Sequence, residues 1–207
     1  MSKFAQKIKS MKKIVLLLGL GIASSLFGQD AFKKKTTVLN LGLGLGNGYV
    51  RYWGVGYSST PYINVALDHG VYDFSEVKGL SIGLGGFLGW RRISYVYGGS
   101  WVDKKGKWHY NEPFTESWNY TNLGFRPTLH YSFEDVKAEV YAGFPIGYTF
   151  VNYKVSNPDY YYVGTYANYF SVGFQLGGRY YFTDRFGIFL EFGYTYSYAN
   201  LGISLKF

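Results

Sequence analysis

The chain has 207 residues with a formal net charge of +8, 28 Gly, 5 Pro and no Cys, and 22% of it is aromatic. That length is one ordinary domain, and the absence of cysteine excludes a disulfide-stapled scaffold, a thiolate metal site and a cysteine nucleophile. Charged residues make up only 16%, below the roughly 25% of soluble domains.

Five lysines, Lys3, Lys7, Lys9, Lys12 and Lys13, precede the uncharged run 14–27, IVLLLGLGIASSLF, and no acid occurs before Asp30. A basic start, a short apolar stretch and small residues at its end read as a secretory signal over residues 1–28, cleaved after Gly28. The stretch is shorter than the ~20 apolar residues of a spanning helix. Met1 and Met11 both open a workable signal. Removing five lysines from 21 basic residues leaves 16 against 13 acidic ones, a net of +3. The electrostatic case for a nucleic-acid partner goes with them.

Residues 29–207 form the expected domain, and its pattern is period two, the signature of half-buried strands. Strands are expected at Leu39–Leu45, Ile63–Val71, Leu80–Trp90 and Leu123–Phe133. Ala138–Phe150, Phe170–Phe182, Phe186–Tyr198 and Leu201–Phe207 complete the set. In Phe186–Tyr198 every even position is apolar or aromatic, whereas the odd ones are mostly small or polar. Eight strands of about 9–11 residues are an even number of the length a tilted membrane strand needs. Connections near 73–79, 134–136 and 183–185 are short, and those near 46–60, 96–117 and 153–168 are long, with a short one at 197–200. The pattern predicts an all-β, eight-stranded antiparallel up-and-down transmembrane β-barrel with aromatic girdles and one loop-rich rim.

The run GGRYYFTDRFGIFLEFGYTYSYANLGISLKF, with Leu201, Ile203, Leu205 and the terminal Phe207 alternating along its last strand, resembles the end of small eight-stranded outer-membrane barrel proteins of the OmpX/OmpA-like, porin-family type. The resemblance implies an integral outer-membrane protein in contact with lipid and lipopolysaccharide, with both termini periplasmic. It also implies that the alternating strand ending at Phe207 is the signal read by the barrel-assembly machinery. A single chain closes such a barrel, so a monomer is expected.

Eight strands leave a lumen just wide enough for side chains to fill. The inward charged set is Asp68, Arg91, Arg126, Lys137, Glu139, Arg179, Glu191 and Lys206, with His130 among them. Such charges need partners. Glu191 is expected between Arg179 and Lys206, and Glu139 beside His130 or Arg126. The set reads either as a structural network or as a proton- or ion-conducting path. Pro127 and Pro145 fall inside adjacent strands and lack the ladder N–H, so they read either as tolerated bulges or as a lateral seam.

In the loops, Trp101 and Trp108 flank Asp103-Lys104-Lys105-Gly106 and are expected opposite each other across a hairpin, with the strands continuing to it beyond the membrane as a stiff ribbon. Trp53 and Tyr161 belong to further tyrosine-rich loops. These aromatics read as a binding surface or as headgroup-level packing. His69, His109 and His130 have no spacing that gives a metal pair or a catalytic triad. No cofactor and no catalytic residue is expected. The expected role is structural or surface-binding, with a narrow conduit for small or hydrophobic solutes and a lipid-modifying enzyme as alternatives.

Overall fold

The computed structural model describes residues 31–46, 56–110, 112–157 and 167–207. The signal and its cleavage site, together with Trp53 and Tyr161, lie outside the described residues. The strands are β1 (Thr37–Leu45), β2 (Tyr57–Ser59 continuing as Tyr62–Asp73), β3 (Leu80–Tyr97) and β4 (Phe114–Ser132). They continue with β5 (Ala138–Gly143 and Ile146–Val155), β6 (Tyr169–Val172 and Gln175–Tyr181), β7 (Phe186–Gly193) and β8 (Ala199–Lys206). Each pairs antiparallel with its chain neighbours. β8 returns to β1 through Lys206↔Val38 to Ala199↔Leu45. The sheet is therefore a closed eight-stranded up-and-down barrel with no open edge along that seam.

Polarity is inverted relative to a soluble core. Among the described residues, 13 buried residues are hydrophobic and 21 are polar or charged. Leu88 is 53% exposed, Leu176 53% and Leu201 51%, all in mid-strand. A lipocalin-like barrel would show the opposite arrangement. Only lipid solvates such an outer face, and the closed ladder satisfies the backbone there. Tyr72 with Phe74, Tyr131 with Phe133, and Tyr180 with Phe182 meet edge-to-face at the short-turn rim, with ring centroids 5.2–5.4 Å apart. They form one interfacial girdle. Both ends of the barrel lie on this rim, where Phe207 N donates to the Thr37 carbonyl at 2.8 Å and Thr37 N donates back at 3.1 Å.

Two strands run on past their alternating stretches, as the ribbon expected below the Trp101–Trp108 hairpin. β3 has 18 residues and β4 has 19, against 8 each for β7 and β8. They stay paired from Leu80↔Tyr131 to Tyr97↔Phe114. At its far end this ribbon gains support from β2, by Tyr57↔Tyr95, and from β5, by Glu116↔Val155. Outward Arg92 and Asn119 face each other on it, and a charged outward side chain marks the end of the apolar belt. Beyond that point the ribbon runs on past the apolar belt. Conversely, β7 ends at Gly193 rather than Tyr198. The chain bends over 194–198, which turns Tyr196 into the lumen at 3% exposure rather than outward.

Candidate functional site

The lumen is filled in layers. In its middle, Arg126 makes a two-pronged contact with Asp68, Nε to Oδ1 at 3.1 Å and Nη2 to Oδ2 at 2.6 Å, while its Nη1 donates to Glu191 Oε1 at 2.7 Å. Register explains the reach. Asp68 on β2, Gly85 on β3 and Arg126 on β4 stand in one row, and Gly85 puts no side chain between them. A Cβ there would meet the Leu67 carbonyl at 1.7 Å. Arg179 bonds Asp68 and, across the β5–β6 ladder, its register partner Glu139 at 2.7 Å. Glu139 also bonds His130 Nδ1 at 2.8 Å, and His130 Nε2 bonds Thr128 Oγ1 at 2.7 Å. The guanidinium of Arg179 lies 4.2 Å from the Tyr141 ring centroid, and Tyr141 Oη donates to Glu191 at 2.7 Å. Gly177 makes room for that ring, since a Cβ would sit 2.4 Å from it.

Glu191 therefore does not stand between Arg179 and Lys206. Its register partners are Gly177 and Asn200, and Lys206 is six positions further along β8. Glu191 is held instead by Arg126, by Tyr141 and by the Asn200 amide at 3.0 Å. Lys206 lies over the Tyr181 ring at 4.7 Å. Lys137 reaches the rim and donates to Asp184 at 2.7 Å, and this bond holds the Asp184 carboxyl below its ordinary range. Arg91 lies apart from the network toward the loop-rich end, where it donates to the carbonyls of Gly46 and Gly44 at 2.9 and 3.2 Å. An aromatic layer of Tyr62, Phe87 and Tyr196 fills that end, and Tyr196 Oη bonds Ser171 at 2.6 Å.

The opposite end carries a feature with no period-two signature. Residues 31–36 fold back into the short-turn mouth as a hook. Ala31 and Phe32 are fully buried, and the Phe32 ring stacks on His130 at 3.7 Å and 16°. Ser132 Oγ accepts from Phe32 N at 2.9 Å and donates to its carbonyl at 2.8 Å. Gly70 lets the hook cross, because a Cβ there would lie 2.0 Å from the Lys33 carbonyl. Lys35 adopts a left-handed φ of 71° to complete the turn.

Pro127 and Pro145 sit in adjacent strands, but their missing donors fall on different seams. Phe144 N donates to the Pro127 carbonyl at 3.0 Å, and Gly173 N donates to the Pro145 carbonyl at 2.9 Å. The return bonds, impossible for proline, are lost once between β4 and β5 and once between β5 and β6. Register is unbroken across both, so neither proline introduces an extra residue.

At the tip of the long ribbon, Trp101–Val102 pairs with Trp108–His109 in a separate hairpin. Trp101 faces His109 rather than Trp108, which pairs with Val102. The five-residue turn Asp103 to Lys107 shifts the register by one. Asp103 Oδ1 accepts from the amides of Lys105 and Lys107, both at 2.9 Å, and Gly106 takes a φ of 81°. Above all the Lys107 amide holds the Asp103 carboxyl below its ordinary range, with His109 adding to the effect. His109 stacks on Trp101 at 4.2 Å and 7°, and its nitrogens contact Asp103 at 3.3 Å and Glu112 at 3.0 Å. Among the described residues no group of three or more His, Asp or Glu is arranged to hold a metal ion.

No protein-family model and no curated protein matches the chain. Among solved structures it is similar to the outer membrane protein Ail of Yersinia pestis, a backbone structure in a phospholipid bilayer nanodisc. The two share 13% identity over 84% of this chain and 100% of that one, with a TM-score of 0.42.

Proposed function

We propose that this chain is an integral outer-membrane protein that serves as a surface-binding module. The barrel anchors it, and the projecting β3–β4 ribbon meets a partner outside the cell. The observation that carries this reading is the ribbon itself, 18 and 19 residues long against 8 each for β7 and β8 and flanked at its far end by β2 and β5. A strand needs only ~9–11 residues to cross, so the excess serves something beyond the membrane. Export would use the signal over 1–28, both ends of the barrel would face the periplasm, and the outward Leu201, Ile203 and Phe207 would be offered to the assembly machinery. The role is non-catalytic, in a monomer contacting lipid and lipopolysaccharide.

The natural absence of cysteine makes sidedness directly measurable. Single variants Lys105→Cys at the ribbon tip and Glu134→Cys at a short turn are treated in whole cells with a membrane-impermeant maleimide. Labelling at 105 and not at 134 is expected, and the reverse would overturn the orientation. Purified protein in liposomes decides between binding and conduction, since flux of sugars or of a hydrophobic dye through the unmodified barrel would favour the conduit. Lipid turnover in the same vesicles would favour an enzyme.

A further inference from the structure

The ribbon tip is built as a receptacle rather than as a passive loop. Its backing is rigid. Trp101 is 5% exposed, lies flat on His109, and donates its indole N–H to the Glu112 carbonyl at 3.1 Å. In front of that backing, Trp108 and Tyr110 leave the hairpin on one face with rings 6.1 Å apart and 20° from parallel, and they are 56% and 69% exposed. Beside them opens a cleft of about 630 Å³ walled by Tyr97, Trp101, Trp108 and Phe114 with Asp103 and Lys104 at its edge. That volume is in the range of small-ligand sites. The turn adds Lys105 and Lys107, both exposed. Among the described residues the tip's acids are engaged, Asp103 by the turn amides and His109, and Glu112 by His109.

We propose that this cleft binds an acidic saccharide. A sugar ring lies against the Trp108–Tyr110 face, and its carboxylate is met by Lys105 and Lys107. The assignment rests on the reading of the ribbon as a surface-binding element and names the chemistry of its partner. A flat aromatic face suits the C–H face of a pyranose, while a protein partner of ordinary affinity would need about 20–30 residues a side, far more than this hairpin offers. A phospholipid headgroup fits less well, because the tip stands beyond Arg92 on the ribbon, where the apolar belt ends. The basic cluster selects an anionic over a neutral sugar.

The test uses the full purified barrel in detergent micelles, so it does not depend on cellular orientation. Tryptophan fluorescence is titrated with an oligogalacturonate, with maltohexaose as the neutral counterpart, and micelles doped with anionic phospholipid serve as competitor. Saturable binding of oligogalacturonate that weakens with salt is expected, with maltohexaose inert. Trp108→Ala is expected to weaken it about tenfold, and the pair Lys105→Gln with Lys107→Gln to weaken it and flatten its salt dependence. Each variant should keep the heat-modifiable gel migration of the parent. Absence of oligogalacturonate binding, equal binding of maltohexaose, binding untouched by Trp108→Ala, or full displacement by anionic lipid would each overturn the proposal. The Lys105→Cys labelling reads out sidedness separately, so the two readings fail independently.

Discussion

Asp68 shows how much one buried carboxylate carries in this lumen. It takes both prongs of Arg126 and a bond from Arg179, so three strands lean on a single side chain. Arg126→Met leaves Asp68 and Glu191 each short of a charged donor, and breaking a buried pair from one side costs about 3–5 kcal/mol. The expected result is a lower midpoint in urea unfolding from lipid vesicles. Removing Asp68 and Arg126 together with apolar replacements should cost less than the two single changes summed. Period two placed these side chains inside, because alternation fixes the face of every residue in a regular strand. It did not fix who pairs with whom. Glu191 went to Arg126 because register sets Gly177 and Asn200 beside it, and register depends on turn geometry that alternation does not encode. Tyr196 escaped for a related reason, since the alternation of Tyr194, Tyr196 and Tyr198 runs on past the end of the ladder at Gly193.

Elements differ in how plainly they announce themselves. The barrel strands were legible wherever lipid demanded apolar residues on one face. The ribbon beyond Trp90 lost that constraint, so its pairing to Tyr97↔Phe114 was marked only by β-prone residues. The tip hairpin was legible from Asp-Lys-Lys-Gly, but not its one-residue shift. Its turn depends on an ionised Asp103, whose carboxyl is held below its ordinary range by the Lys107 amide. A depressed folded-state value means that the turn's stabilisation is complete above the ordinary aspartate range and lost only as pH falls through the depressed one. Near-ultraviolet circular dichroism of the tip tryptophans should therefore hold steady from neutral pH down to that range and collapse below it, whereas Asp103→Ser should alter the signal already at neutral pH. Gly106→Val at φ 81° should loosen the same turn by about 1–2 kcal/mol.

For the molecule as a whole, the closed ladder and the side chains filling the lumen make one tightly connected cylinder. Boiling should shift its migration on detergent gels, and a band that does not move would count against the barrel. The hook of residues 31–36 contributes to the same connectivity by closing the short-turn mouth. Phe32→Ala removes a fully buried ring and should cost about 3–5 kcal/mol, read as a lower temperature for that gel shift. Lys35→Gly keeps the hook while relieving a left-handed backbone, and should raise the temperature by the equivalent of roughly 1 kcal/mol.

The hook also sets an order in time. Phe32 is fastened to Ser132, 100 positions later in the chain, and Gly70 on β2 is the bridge it crosses. Its binding place does not exist until β2, β3 and β4 are assembled in order, and closing so long a span is entropically slow. The hook is thus among the last parts of the described chain to be seated. Until then β1, the strand that must zip to β8, is not yet pinned by the hook.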